Sequence, residues 1–134
     1  MPVSLYLAVA AGGALGSVAR FALSGAIAGA LGPAFPWGTL LVNVSGSFAI
    51  GFFGALSRAD GGLLVSGTAR AFVLAGVCGG YTTFSAFSLE TLKLATEGAW
   101  FAAGSNVLAS VALCLIFVWL GAVAAGALNP LQGG

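Results

Sequence analysis

The sequence has no histidine, and of its 134 residues only four are Lys or Arg and three are Asp or Glu. Charged residues make up 5% of the chain, whereas a soluble domain carries about 25%, so a globule covered by its own charges is excluded. The lack of histidine argues against a metal enzyme or a Ser-His-Asp triad. No phosphate-cradling GxxxxGK[ST] pattern occurs, and neither early apolar segment carries an acidic residue, so neither ATP-driven pumping nor proton exchange has its usual machinery. The two cysteines, Cys78 and Cys114, fall inside apolar segments. They read as small buried hydrophobes, not as a disulfide or metal pair.

What remains is oil. The chain is 60% hydrophobic, with a mean hydropathy of +1.10. Four segments, 4–30, 37–57, 70–97 and 100–126, each supply the roughly 20 apolar residues needed to cross about 30 Å of hydrocarbon. No long polar region is left over, so residues 1–134 read as one all-α integral membrane domain of four transmembrane helices. The first segment lacks a basic start and exceeds the roughly 7–15 residues of a signal-peptide core, so it is expected to stay as a helix. Gly32, Pro33 and Pro36 punctuate the first connection, and "SRADGG" at 57–62 forms a polar turn. A very short link at Gly98 makes the last two spans a hairpin, and "NPLQGG" is a polar tail.

Orientation follows the Lys/Arg balance at span ends. Arg58 and Arg70 lie on one side, Arg20 and Lys93 on the other. Such a balance fits insertion both ways up with pairing of opposite copies, and fits equally a chain whose sparse charge carries no orienting information. The 22 glycines suit close helix contacts in lipid, where small residues let backbones approach. "GGALG" at 12–16 and "SGSFAIGFFG" at 45–54 place small residues about four apart on one face.

Polar groups within the spans are the candidate site, because burial in lipid is costly without partners. Arg20 sits near the far end of the first span, either as an interfacial anchor or as a charge near a pore mouth. Thr39, Asn43 and Gly46 share a face of the second span. Asn43 can be interhelix glue or an amide donor to something passing. Asn106, Ser110 and Cys114 repeat the stripe on the fourth span, and two such stripes suggest a shared lane.

The stretch "GGYTTFSAFSLE" at 79–90 is the most unusual. Helix is disfavoured by about 1 kcal/mol at each glycine, and Thr82 and Thr83 compete for backbone partners, so the third helix is expected to break near its middle. Irregular backbone at membrane depth must be buried in protein or line a cavity, and its freed carbonyls can hold a small cation. Phe84 and Phe87 project from one side with Ser85 and Ser88 on neighbouring faces. They are either packing residues or positive ring edges offered to a small anion. Glu90 and Lys93 are spaced for an ion pair, and Glu90 could instead reach the break of a facing subunit.

With these stretches, namely "GGALGSVARF", "GTLLVNVSGSFAIG" and "GVCGGYTTFSAFSLE", the chain resembles the Fluc/CrcB family of small bacterial fluoride channels over nearly its whole length. The resemblance implies an antiparallel, dual-topology homodimer in the bacterial inner (plasma) membrane that passively releases cytoplasmic fluoride and relieves its toxicity. It further implies two pores at the subunit interface and a structural sodium ion at the dimer centre, held by backbone carbonyls that would belong here to Gly79 and Thr82. Asn43, Phe84 and Phe87 would face the fluoride path, with Thr39, Thr83 and Ser110 extending it and Arg20, Ser85 and Glu90 in support. Asn106 and Cys114 stand where members often carry a tyrosine and a second serine. Two other readings are a small dual-topology multidrug exporter, which calls for a carboxylate deep in an early helix, and a non-conducting assembly subunit, which leaves the break unexplained.

Overall fold

A computed structural model describes residues 1–58 and 66–128. The turn expected at 57–62 falls largely outside these residues, and the expected tail at 129–134 lies beyond them. The described chain is all helical: α1 (Val3–Leu31), α2 (Trp37–Arg58), α3 (Gly67–Arg70), a π-helical stretch (Ala71–Cys78), α4 (Gly79–Tyr81), α5 (Phe84–Thr96) and α6 (Trp100–Leu128). Among the described residues four helical segments are long and apolar enough to cross a membrane: Val3–Leu31, Trp37–Ser57, Gly67–Thr96 and Trp100–Leu128.

The breaks between spans have local causes. Gly32 leaves α1 at φ +87° and returns its N–H to the Ala28 carbonyl, and Gly98 turns the chain into α6 at φ +80°; both lie where a β-carbon is disfavoured. Ser66 caps α3 by accepting the Ala69 N–H at 3.0 Å. Arg70 reaches back to the last turn of α2, donating to the Ser57 carbonyl at 3.1 Å. A cation thus satisfies a helix-terminal carbonyl and complements the negative end of the helix dipole.

Packing between the spans rests on missing side chains. A β-carbon on Gly12 would collide with the Phe72 carbonyl, and one on Gly76 with Gly12, so α1 and the π-helical stretch meet backbone to backbone. Gly51 and Gly121 do the same for α2 and α6, against Val118 and Phe48 respectively. The core lies along α2, where Val42 and Leu56 are fully buried. By contrast, the buried residues of α1 are Gly12 and Gly16, and Val18 and Phe21 point outward, which suits a helix facing lipid or another chain.

Candidate functional site

The geometry is organised around two residues outside the helical conformation. Thr82 (φ −86°, ψ 159°) and Thr83 (φ −154°, ψ 117°) are extended between α4 and α5. Sequence reasoning expected a break near the middle of the third helix from the glycines and the threonines together; Gly79 and Gly80 are helical, and the extended residues are the two threonines. Gly80 is pressed against Gly13 of α1, and that contact fixes its backbone, so the irregular pair falls two residues later.

Asn43 of α2 holds the extended pair from the side. Its Oδ1 accepts the Thr83 N–H at 2.8 Å, and its Nδ2 donates to the Thr83 carbonyl at 3.0 Å. The amide thus supplies both bonds that a neighbouring strand would give. The Thr83 hydroxyl then caps α5 by accepting the Ala86 N–H at 3.1 Å, and it shares a hydrogen bond with Ser85 at 3.2 Å.

These bonds redirect two amides. In a continuous helix the Thr83 N–H would reach the Gly79 carbonyl and the Ala86 N–H the Thr82 carbonyl; here they go to Asn43 and to the Thr83 side chain. Gly79 and Thr82 therefore present carbonyl oxygens whose helical donors are engaged elsewhere. The Gly80 carbonyl between them accepts from Arg20 Nε at 3.2 Å. Arg20 therefore acts at the interruption itself. Hard oxygen donors of this type suit a sodium ion, and no cluster of metal-binding side chains occurs among the described residues.

Beside the interruption lies a cavity of about 360 Å³, lined by Asn43, Thr83, Phe84, Phe87, Ser110 and Cys114 among others. Five of the six residues expected along an ion path thus share one space. The Phe84 and Phe87 ring centroids are 5.3 Å apart with planes tilted by 56°. Phe87 is 9% exposed and Phe84 77%, so one ring is set in the protein and the other stands open. Asn43 has one N–H left after binding Thr83, since its Nδ2 carries two.

The sixth, Thr39, lies elsewhere. It lines a second cavity of about 490 Å³ with Phe21, Ser24, Glu90, Lys93 and Glu97. Its hydroxyl donates to Glu90 Oε1 at 2.6 Å, while Glu90 Oε2 is buried without a hydrogen-bond partner among the described residues. The ion pair expected between Glu90 and Lys93 is not formed, because Glu90 turns toward α2 and binds Thr39. Ser85 is exposed and bonds to Thr83.

The fourth-span stripe divides as well. Ser110 and Cys114 line the smaller cavity, but Asn106, 2% exposed, is turned to Thr91 of α5 and to Ser110. Sequence reasoning missed Thr91, although its position four residues after Phe87 was the available signal; its hydroxyl donates to the Phe87 carbonyl at 2.7 Å. It also missed Ser47, which lines the cavity and continues the four-residue spacing of Thr39 and Asn43.

Comparison with known proteins places the chain in a family. Residues 7–122 match the family described as "CrcB-like protein, Camphor Resistance (CrcB)". The chain is 60% identical to a protein of Opitutus terrae named "Fluoride-specific ion channel FluC", over 98% of this chain and 99% of that one. A protein of Rhodospirillum rubrum with the same name is 59% identical over 92% of this chain and 96% of its own. A third so named, from Methylocella silvestris, is 53% identical over 96% and 98%.

Proposed function

This chain belongs to the CrcB-like family, and we propose that it is a fluoride-selective passive ion channel, not an enzyme, that lets cytoplasmic fluoride out across the bacterial inner membrane. The observation that carries the reading is the small cavity: a free amide N–H of Asn43, two phenylalanine rings and the Ser110 hydroxyl line it, and none of its lining residues is charged. Fluoride is small, strongly hydrated and a strong hydrogen-bond acceptor, so its passage needs donors that replace water. A buried arginine would trap it, whereas weak contacts at several points permit movement. Hydrogen fluoride enters a cell from acidic surroundings and dissociates inside, and a passive exit then suffices to relieve its toxicity.

Two antiparallel copies would complete the pathway, with two pores at their interface. Support comes from what a single chain leaves open: Phe84 is 77% exposed, and Ser85 and Ser88 beside it are exposed too on a helix otherwise suited to lipid. A tag on the carboxyl terminus should be found on both sides of the membrane; finding it on one side only would end the dual-topology reading. The Gly79 and Thr82 carbonyls would hold a sodium ion jointly with the second copy. Bound there, it would supply a fixed positive charge that joins the subunits. Replacing sodium by a bulky organic cation should weaken the dimer, and an equally stable dimer in sodium-free solution would contradict this assignment.

The direct test is fluoride efflux from liposomes carrying the purified protein, read with a fluoride electrode beside a chloride control under a potassium–valinomycin shunt. The reading predicts rapid fluoride loss without chloride loss. No fluoride loss from a folded protein would refute it.

A further inference from the structure

Asn106 has no contact with the cavity, yet a directed chain of hydrogen bonds joins it to two residues that do. Ser110 Oγ donates to Asn106 Oδ1 at 3.3 Å, Asn106 Nδ2 donates to Thr91 Oγ1 at 2.9 Å, and Thr91 Oγ1 donates to the Phe87 carbonyl at 2.7 Å. The direction is fixed from one end. A carbonyl can only accept, so the Thr91 proton points to Phe87 and its oxygen must accept from Asn106. The Asn106 amide therefore turns its nitrogen to Thr91 and its oxygen to Ser110. Ser110 is left to donate to Asn106 and to present lone pairs, not its proton, to the cavity it lines.

We infer that Asn106 is a positioning residue which, locked by Thr91, holds the Ser110 proton away from the cavity until an anion strong enough as an acceptor pulls it across. This rests on the reading of that cavity as an anion path. The lock is complete where it is anchored and weak where it opens. Asn106 is 2% exposed and Ser110 7%, the bond to Thr91, at 2.9 Å, is of ordinary length, and the bond from Ser110, at 3.3 Å, is longer than the roughly 2.5–3.0 Å usual between oxygens. A hydroxyl can rotate about its C–O bond without moving the helix. The exchange of one acceptor for another favours an ion that accepts strongly, which fluoride does and the larger halides do less. Asn106 in this way contributes to anion choice without touching the ion.

Two substitutions release the proton by different routes. Asn106→Leu removes the acceptor. Thr91→Val keeps the size of the side chain but takes away the reason for the amide to prefer one orientation, so its N–H can turn to Ser110 and free the Ser110 proton for the cavity. Fluoride efflux from liposomes is measured for both variants, alone and combined with Ser110→Ala, together with bromide efflux and thermal unfolding in detergent. The inference predicts that each variant speeds fluoride efflux by about threefold to tenfold, the span expected when one ordinary hydrogen bond no longer competes. It further predicts that bromide gains relatively more, and that neither substitution has any effect once Ser110 is alanine. Unchanged efflux in both variants, or effects that persist in the Ser110→Ala background, would overturn it in favour of a purely packing role. Should Asn106→Leu fail to fold, Thr91→Val alone decides, since it leaves volume unchanged. A wild-type protein that passes no fluoride would refute the channel reading itself, whereas a conducting wild type without coupling to Ser110 would refute only this inference.

Discussion

Asn43 and Thr83 are joined twice, by a 2.8 Å bond from the Thr83 N–H to Oδ1 and a 3.0 Å bond from Nδ2 to the Thr83 carbonyl. One side chain on α2 therefore does for an extended residue on the third span what a strand partner does in a sheet, and it keeps α4 and α5 from fusing into a single helix.

Replacing Asn43 by alanine leaves a part-buried N–H and a carbonyl unpaired, at about 1–3 kcal/mol for each group left unsatisfied. Unfolding in detergent should show a loss of that order, and fluoride efflux should fall by at least a hundredfold. Unchanged stability would mean that the clamp is not what holds the two threonines extended.

Phe84 and Phe87 differ in what they cost to change. Phe84 is 77% exposed and Phe87 9%, so Phe84→Ile should leave the stability of a single chain nearly unaltered, while Phe87→Ile should cost about 1–2 kcal/mol through altered packing. Both should reduce fluoride efflux by more than tenfold, because an isoleucine offers no positive ring edge. Stability from denaturant titration and efflux from liposomes separate the two roles.

Thr39 donates the 2.6 Å bond to Glu90 Oε1, and Oε2 of the same carboxylate is buried without a partner among the described residues. Thr39→Val removes the one hydrogen bond this group makes among the described residues and should destabilise the fold by about 1–3 kcal/mol. Thr39→Ser should restore most of that loss. Thermal melts of the pair provide the comparison, and equal melts for valine and serine would show that the bond contributes little.

Cys114 lines the smaller cavity while Cys78 is buried. A small thiol-directed cation such as methylmercury should block fluoride efflux of the wild type and of Cys78→Ser but not of Cys114→Ser. Block that survives in Cys114→Ser would place the reactive thiol elsewhere.

Much of the fold was legible in the sequence because lipid leaves so few choices. Span length and apolarity located all four long helices to within a few residues, and the glycines at Gly12, Gly16 and Gly51 could be read as contact points before their neighbours were known. For the interruption the sequence indicated the neighbourhood, near the middle of the third span, but not which of its glycines and threonines leave the helix. Glycine weakens a helix everywhere, but at Gly80 the close contact with Gly13 on another helix decides the conformation. Side-chain pairing was the least legible. Spacing on α5 pointed Glu90 to Lys93, whereas Thr39 lies 51 residues away and wins, and nothing local to Asn106 announces Thr91 as its partner. Such bonds depend on how helices from distant parts of the chain come to face each other.

The central claim is that fluoride moves passively and selectively through this protein. Its most direct test is the reversal potential of the protein in a planar bilayer with a tenfold fluoride gradient and chloride as the balancing anion. A passive fluoride pathway predicts reversal at the fluoride equilibrium potential, about 59 mV for a univalent ion, independent of any pH difference across the bilayer. Reversal near zero, or a potential that follows the pH gradient, would contradict the account.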